Sequence, residues 1–440
     1  METIAAHEVL AKVPQREVER TITSFVRPVV QLLPDQRLRE VVPVALRGIV
    51  AGETPIITAM ARSISRQEAS TWAVAKRIYR FVDNPRFSHH HLYKGLYRLA
   101  QQTVEQEQPP YVVVAIDPVN FEKPYTQTLP GVSTVHKSTP PDLQGKARLT
   151  HGYPAITATV VNTQVPAISY ANWFSYTLDF LSQNWEIYRA IRTTHAVFPK
   201  RRVRFVGDCG LDDQKIFAWM QFVQAEFVIR AQHLNRIVEV YNARLDRWER
   251  EVLEDLVDTV PFSCTWPVLF THARKTRLVT MQVGWLRIRL PGQEHSWCVL
   301  VAQDSQQQWP PLVLLTNVAI DHEPDALAVY TDWRLRGRIE QGYRFDQEQG
   351  LDVEDIQVRT LERMRRLFAL VLLAAQLVFH LMQTWPPLAV QWLRILGGKL
   401  QRASDLDGPY ILLRGLQALF QTFTTLSLLS VLPFPHDAFT

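Results

Sequence analysis

The spacing of hydrophobic positions changes character along the chain. Over the first hundred residues apolar positions recur at helical spacing, in QRLREVVPVALRGIV (36–50), PIITAMARS (55–63) and ASTWAVAKRIYRFV (69–82). This predicts a helical region over 1–105. The polar stretch QQTVEQEQPP (101–110) ends in two prolines and reads as a domain boundary. Beyond it the apolar runs shorten and lose alternation. YVVVAID (111–117), PAITATVV (154–161), VRFVGD (203–208) and EFVIR (226–230) read as strands, the first and third buried on both faces. SYTLDFLSQNWEIYRAIRTT (175–194) and a segment from about Asp212 read as helices between them. Strands alternating with helices predict an α/β domain with a mixed sheet over 106–232.

A third pattern covers 233–325. LVTMQVGWLRIRLP (278–291), SWCVLVAQ (296–303) and PLVLLTNV (311–318) are short strands without comparable helices between them, which predicts a β-rich insertion. The chain then turns helical, through 326–385, a return to the α/β domain, and 386–440, a C-terminal helical region. The longest apolar run, LFALVLLAA (367–375), falls short of the ~20 residues of a membrane span. A buried helix is expected there, and no membrane partner.

Composition narrows the class. A chain of 440 residues exceeds one ordinary core, and 47% hydrophobic with 21% charged residues is a folded composition. The formal charge of +5 permits a polyanionic partner. Three scattered cysteines exclude a disulfide framework or zinc knuckle, and the start has no apolar segment of signal-peptide type, so a cytoplasmic protein is expected. In the N-terminal region a short helix, the polar break SISRQ (63–67, with Ser65 and Gln67 opening the next element), and a helix carrying Lys76, Arg77 and Arg80 resemble a helix-turn-helix; a bundle with a solvated basic face fits equally. The run His89, His90, His91 reads as a solvated polar face, Cys209 as a small packed residue and His380 as a core histidine.

Chemistry concentrates in three acids. Asp117 ends VVVAID and Asp208 ends VRFVGD, each at the carboxyl end of a buried strand, where sites of open α/β sheets collect. Two carboxylates brought together call for a cation, Mg²⁺ or Mn²⁺; the plainer reading is that each caps the turn after its strand. Glu340 is the candidate third ligand. It lies in WRLRGRIEQGYRFDQEQGL (333–351), among Arg334, Arg336, Arg338 and Arg344. Counted at about 100° per residue on one helix, Trp333, Arg336, Glu340, Arg344 and Gln347 share a face. That face is a poor core stripe and suits a groove where phosphate approaches a metal. Gly337 and Gly342 suggest close approach by another backbone; an exposed helix with Arg–Glu pairs is the alternative.

These residues carry a resemblance. The chain resembles bacterial insertion-sequence transposases of the DDE superfamily, the cut-and-paste group with a β-rich insertion in an RNase H-like domain. The group's signature runs Tyr-x2-Arg-x3-Glu-x6-Lys; here it reads Trp333-x2-Arg336-x3-Glu340-x6-Gln347. AIDPVNFEKP, VGDCGLDDQKIF, LLTN (314–317) and RIEQGYRFDQEQGLD resemble the family's other motifs in order, over about 110–385. Trp333 lacks the phenol hydroxyl and Gln347 the charge of the residues they replace, both linked in the family to holding a terminal phosphate.

The resemblance implies an RNase H-like mixed sheet with a β-rich insertion and helical flanks. It implies that Asp117, Asp208 and Glu340 hold two divalent ions for cleavage of DNA at element ends and strand transfer of the 3′-hydroxyl, with double-stranded DNA and a dimer as partners. Expected DNA contacts are Trp333, Arg336, Arg344, Gln347, Arg230, Tyr343, and Lys137, Lys146 and Arg148 in the loop HKSTPPDLQGKARL. A flipped base would stack on Trp266, Trp285, Trp297 or Trp309, unless these are core. The rivals are another RNase H-like metal nuclease, which would lack the large insertion, and a domesticated transposase that binds DNA without cutting it.

Overall fold

The computed structural model describes residues 15–64, 70–126, 128–137, 146, 148–242, 245–272, 275–347, 350–398 and 408–429. At its centre lie β1 (Val112–Glu122), β3 (Leu149–Val160), β4 (Ala167–Trp173), β5 (Val203–Gly207) and β6 (Glu226–Arg230), ordered β4-β3-β1-β5-β6. β3 is antiparallel to β4 and β1, while β1, β5 and β6 run parallel. An antiparallel meander continued by two parallel strands is the RNase H-like arrangement. β2 (Ser133–His136) extends the meander along the start of β3.

Side-chain alternation divides the sheet's two faces. Val112, Val114, Ile116 and Phe205 pack under α6 (Gln183–Val197) and α7 (Gln214–Phe222). Val113, Ala115, Val206 and Val228 face α9 (Glu323–Arg334) and α10 (Gly337–Asp346). α6 begins eight residues later than the apolar pattern predicts, because Ser182 caps it by accepting from the backbone of Trp185. β4, wholly buried and without alternation, gave no strand signal of its own.

The β-rich segment is continuous with this sheet. β12 (Leu312–Thr316) pairs antiparallel with β6, and β11 (Ser296–Asp304), β10 (Lys275–Arg289), β7 (Ile237–Asn242) and β8 (Arg247–Val252) follow in space. β9 (Cys264–His272) pairs with the first half of β10, and α8 (Leu253–Thr259) follows β8 in sequence. The insertion thus covers the edge that β6 would otherwise expose.

The terminal helices share one core. α1 (Gln15–Val30), α2 (Gln36–Gly52), α3 (Ile57–Ile64), α4 (Thr71–Val82) and α5 (His89–Glu107) surround α11 (Leu361–Thr384) with α12 (Pro387–Leu396) and α13 (Pro409–Leu429). Phe81, Leu92, Phe368 and Leu412 meet there. α11 is long and apolar enough to cross a membrane, yet most of it is buried within the protein. The expected boundary at 101–110 is mostly the end of α5, whose Ala100 and Val104 insert under the sheet; the break is confined to the prolines. The turn of the expected helix-turn-helix, with Ser65 and Gln67, lies outside the described residues; Lys76, Arg77 and Arg80 are exposed on α4. His89 departs from the expected solvated face: it is buried and its ring pairs with Glu362.

Candidate acidic site beside the parallel strands

The ladder between β1 and β5 sets Val112 opposite Val203 and Ala115 opposite Val206, an offset of 91 residues. Asp208 follows Asp117 by the same 91 residues, so the register, carried two residues past its last pair, sets them side by side. Parity places both on the face under α9 and α10, since each follows a cluster residue, Ala115 or Val206, by two. β6 continues the row: Gly207 lies opposite Ile229, which brings Arg230 level with Asp208. Arg230 is exposed and makes no ion pair among the described residues.

One expectation changes. Asp117 does not end its strand, because β1 continues to Glu122 in an antiparallel ladder with β3, where Asp117 opposes Thr157. What ends before Asp117 is the parallel ladder to β5, whose last pair is Ala115 and Val206. Asp208 does follow its strand, and it also caps the next turn, its Oδ1 accepting from Gly210 N at 2.8 Å.

α10 brings Glu340 to the same place. The segment 333–347 is not the single helix that the angular count assumed. Arg336 N, Arg338 N and Ile339 N each donate to the carbonyl three residues back, so the chain tightens between α9 and α10. Trp333 and Arg336 still meet, with the guanidinium 5.9 Å from the indole ring centre, and Arg336 holds Glu340 at 2.7 Å. Burial pushes the Asp117 carboxyl up to about 7, with Asp208 and then Glu340 adding to the rise and Arg336 opposing it. Asp208, Glu340 and Arg336 therefore each lie within electrostatic reach of Asp117.

Tyr343, expected to contact DNA, is buried instead. Its phenol donates to the main-chain oxygen of Asp117 at 2.6 Å and lies 2.6 Å from the Thr157 hydroxyl. Trp333 is half-buried and spends its indole N–H on Gly207 O at 3.0 Å, directly before Asp208. Gln347 falls beyond α10, with its amide 3.5 Å from Glu354 beside the end of β1. Arg344 is exposed, within electrostatic reach of Tyr410. Arg338 is tied to the carbonyls of Val161, Thr163 and Gln164 and serves the fold. A Cβ at Gly337 or Gly342 would meet nothing within 4 Å, so no described backbone approaches these glycines.

The basic loop stands apart on the edge hairpin: Lys137 N donates to Arg148 O at 2.8 Å, Lys146 and Arg148 are exposed, and most of 138–147 lies outside the described residues. Trp266 and Trp297 are buried in the core, with the Trp266 indole held by Glu323, and so are closed to a base. Trp285 and Trp309 are half-buried, and Arg277 lies over Trp309.

The donor set fits a hard divalent cation. It offers three carboxylates, with neither thiolate nor imidazole, and desolvation and mutual repulsion already hold the Asp117 carboxyl up. Among the described residues no group of three acidic, thiol or imidazole side chains is placed to hold a metal ion.

No family model and no curated protein matches the chain. Among solved structures it is similar to a piggyBac transposase synaptic complex with hairpin DNA, at 9% identity and a TM-score of 0.42, over 96% of this chain and 81% of that one. A likeness of that degree carries no inference about the site.

Proposed function

We propose that the protein is a DDE-type DNA transposase that cleaves DNA at the ends of a mobile element and joins the freed 3′-hydroxyl to target DNA. The observation that carries this reading is the row Asp117, Asp208 and Arg230 across three parallel strands, with Glu340 and Arg336 brought against it by α10. Asp117, Asp208 and Glu340 would hold Mg²⁺ or Mn²⁺, which when bound supplies Lewis-acid activation of a phosphodiester and of water.

The chain's own residues do the rest. Partial burial of Asp117 lowers the local dielectric and strengthens each charge interaction there. Arg230, level with Asp208 and without an ion-pair partner among the described residues, offers a guanidinium to phosphate oxygens. Arg336 neutralises Glu340 before DNA arrives and stands ready to share its fork with a phosphate. Double-stranded DNA is the partner in this reading, a dimer pairs the two ends, and the cytoplasmic nucleoid is the place of action.

The test uses supercoiled plasmid carrying the element's ends, incubated with the full chain and Mg²⁺. Asp117→Ala is expected to abolish nicking while retaining end binding. Nicking at the wild-type rate by that variant overturns the assignment.

A further inference from the structure

We propose that Tyr343 is a positioning residue that fixes the distance between the first and third acids. The inference rests on the acidic-site reading given above. Tyr343 follows Glu340 by three residues on α10, so the two share a rigid turn of helix. Its phenol is buried, donates to the main-chain oxygen of Asp117 at 2.6 Å, and lies 2.6 Å from the hydroxyl of Thr157, the cross-strand partner of Asp117. A phenol has one proton. Because the carbonyl of Asp117 can only accept, the proton between Tyr343 and Thr157 comes from the threonine. The chain Thr157 to Tyr343 to Asp117 thus has a single direction, and every donor in it is used.

The consequence is geometric. Glu340 reaches the site from a helix preceded by a tightened turn, where small rotations of α10 would carry its carboxylate away from the strands. Arg338 anchors the same helix one turn earlier, on the loop after β3. Arg338 and Tyr343 therefore pin α10 at two points flanking Glu340, and only the tyrosine reaches a residue of the acidic row. Partners of this kind, one bond removed from a metal's ligands, commonly change its affinity by about 10–100-fold when lost.

The test is a titration of the metal-free, full-length protein with Mn²⁺, followed by the loss of the free-ion electron paramagnetic resonance signal. Tyr343→Phe keeps the ring and removes the hydroxyl; it is expected to fold, by circular dichroism, and to bind Mn²⁺ about tenfold more weakly. Thr157→Val leaves the Tyr343–Asp117 bond in place and is expected to stay within about twofold of wild type. A p-aminophenylalanine at position 343, which restores a donor, is expected to recover most of the affinity and also serves if the phenylalanine variant does not fold. Wild-type affinity in Tyr343→Phe overturns the proposal, and so does an equal loss in Thr157→Val, which would mark a packing effect. If the wild type takes up no Mn²⁺ and Asp117→Asn changes nothing, the acidic-site reading falls, and this proposal with it.

Discussion

The indole of Trp333 donates to the carbonyl of Gly207, one residue before Asp208, at 3.0 Å. The position where the resembled family carries a phosphate-holding tyrosine is therefore used here to fasten α9 to the strand that delivers the second acid. Trp333→Phe should lower stability by about 1 kcal/mol, the usual worth of one such bond, measured by urea unfolding. It should reduce cleavage more than DNA affinity, because it loosens the seat of Asp208 without removing a cation. A loss of affinity equal to the loss of cleavage would show that Trp333 touches DNA itself.

Asp117 makes the metal-free protein pH-sensitive. Its carboxyl is raised to about 7 in the fold, from an unperturbed value of 3.8, by burial first and then by its acidic neighbours. The folded state therefore binds its proton more tightly than the unfolded chain does. The stability linked to the protonated form is fully present below the unfolded value and is lost as pH rises through about 7. Asp117→Asn should flatten that slope and stabilise the metal-free protein at pH 8 by about 1–3 kcal/mol, read from thermal unfolding at a series of pH values. Protons compete with metal for the same group, so Mn²⁺ affinity in the wild type should fall as pH drops below about 7.

Arg230 sits in the acidic row by register and is exposed. Arg230→Ala should weaken DNA binding several-fold regardless of sequence and reduce the slope of log affinity against log salt by about one. An unchanged slope in a filter-binding series from low to moderate salt would remove it from the interface.

The C-terminal helices cross at two glycines. A Cβ on Gly415 of α13 would run into the carbonyl oxygen of Leu393 on α12, and one on Gly397 into that of Ile411. Gly415→Ala should therefore cost about 1–3 kcal/mol by overpacking, visible as an early thermal transition, while leaving the acidic row in place.

Much of this was legible in the residues. The apolar runs ending near Asp117 and Asp208 did become neighbouring parallel strands, because β-branched runs without alternation suit a strand buried on both faces. The equality of the two offsets, 91 residues by register and by sequence, needed the pairing to be seen. Three other features lay beyond local pattern. That β12 would pair with β6 and join the insertion to the central sheet is a long-range choice with no trace in either segment. The tightened turn at 335–339 breaks the angular count between Trp333 and Glu340, with Gly337 as its one sequence hint, and the end of α10 at Asp346 takes Gln347 off the face. The inward turn of Tyr343 follows from its lying three residues after Glu340, on the flank of α10 that meets β3, and a tyrosine among arginines reads as surface until that flank is known.

In the proposed function Asp117, Asp208 and Glu340 converge on one metal centre. Affinity cleavage by a bound redox metal reads this convergence out. The full-length protein is loaded with Fe²⁺ in place of Mg²⁺ and treated with ascorbate and peroxide, and the fragments are mapped by mass. Backbone cuts are expected near residues 117, 208 and 340 together, suppressed by excess Mg²⁺ and absent in Asp117→Asn. Cuts confined to one of these segments, or clustered elsewhere on the chain, would mean that the three acids do not share a metal centre.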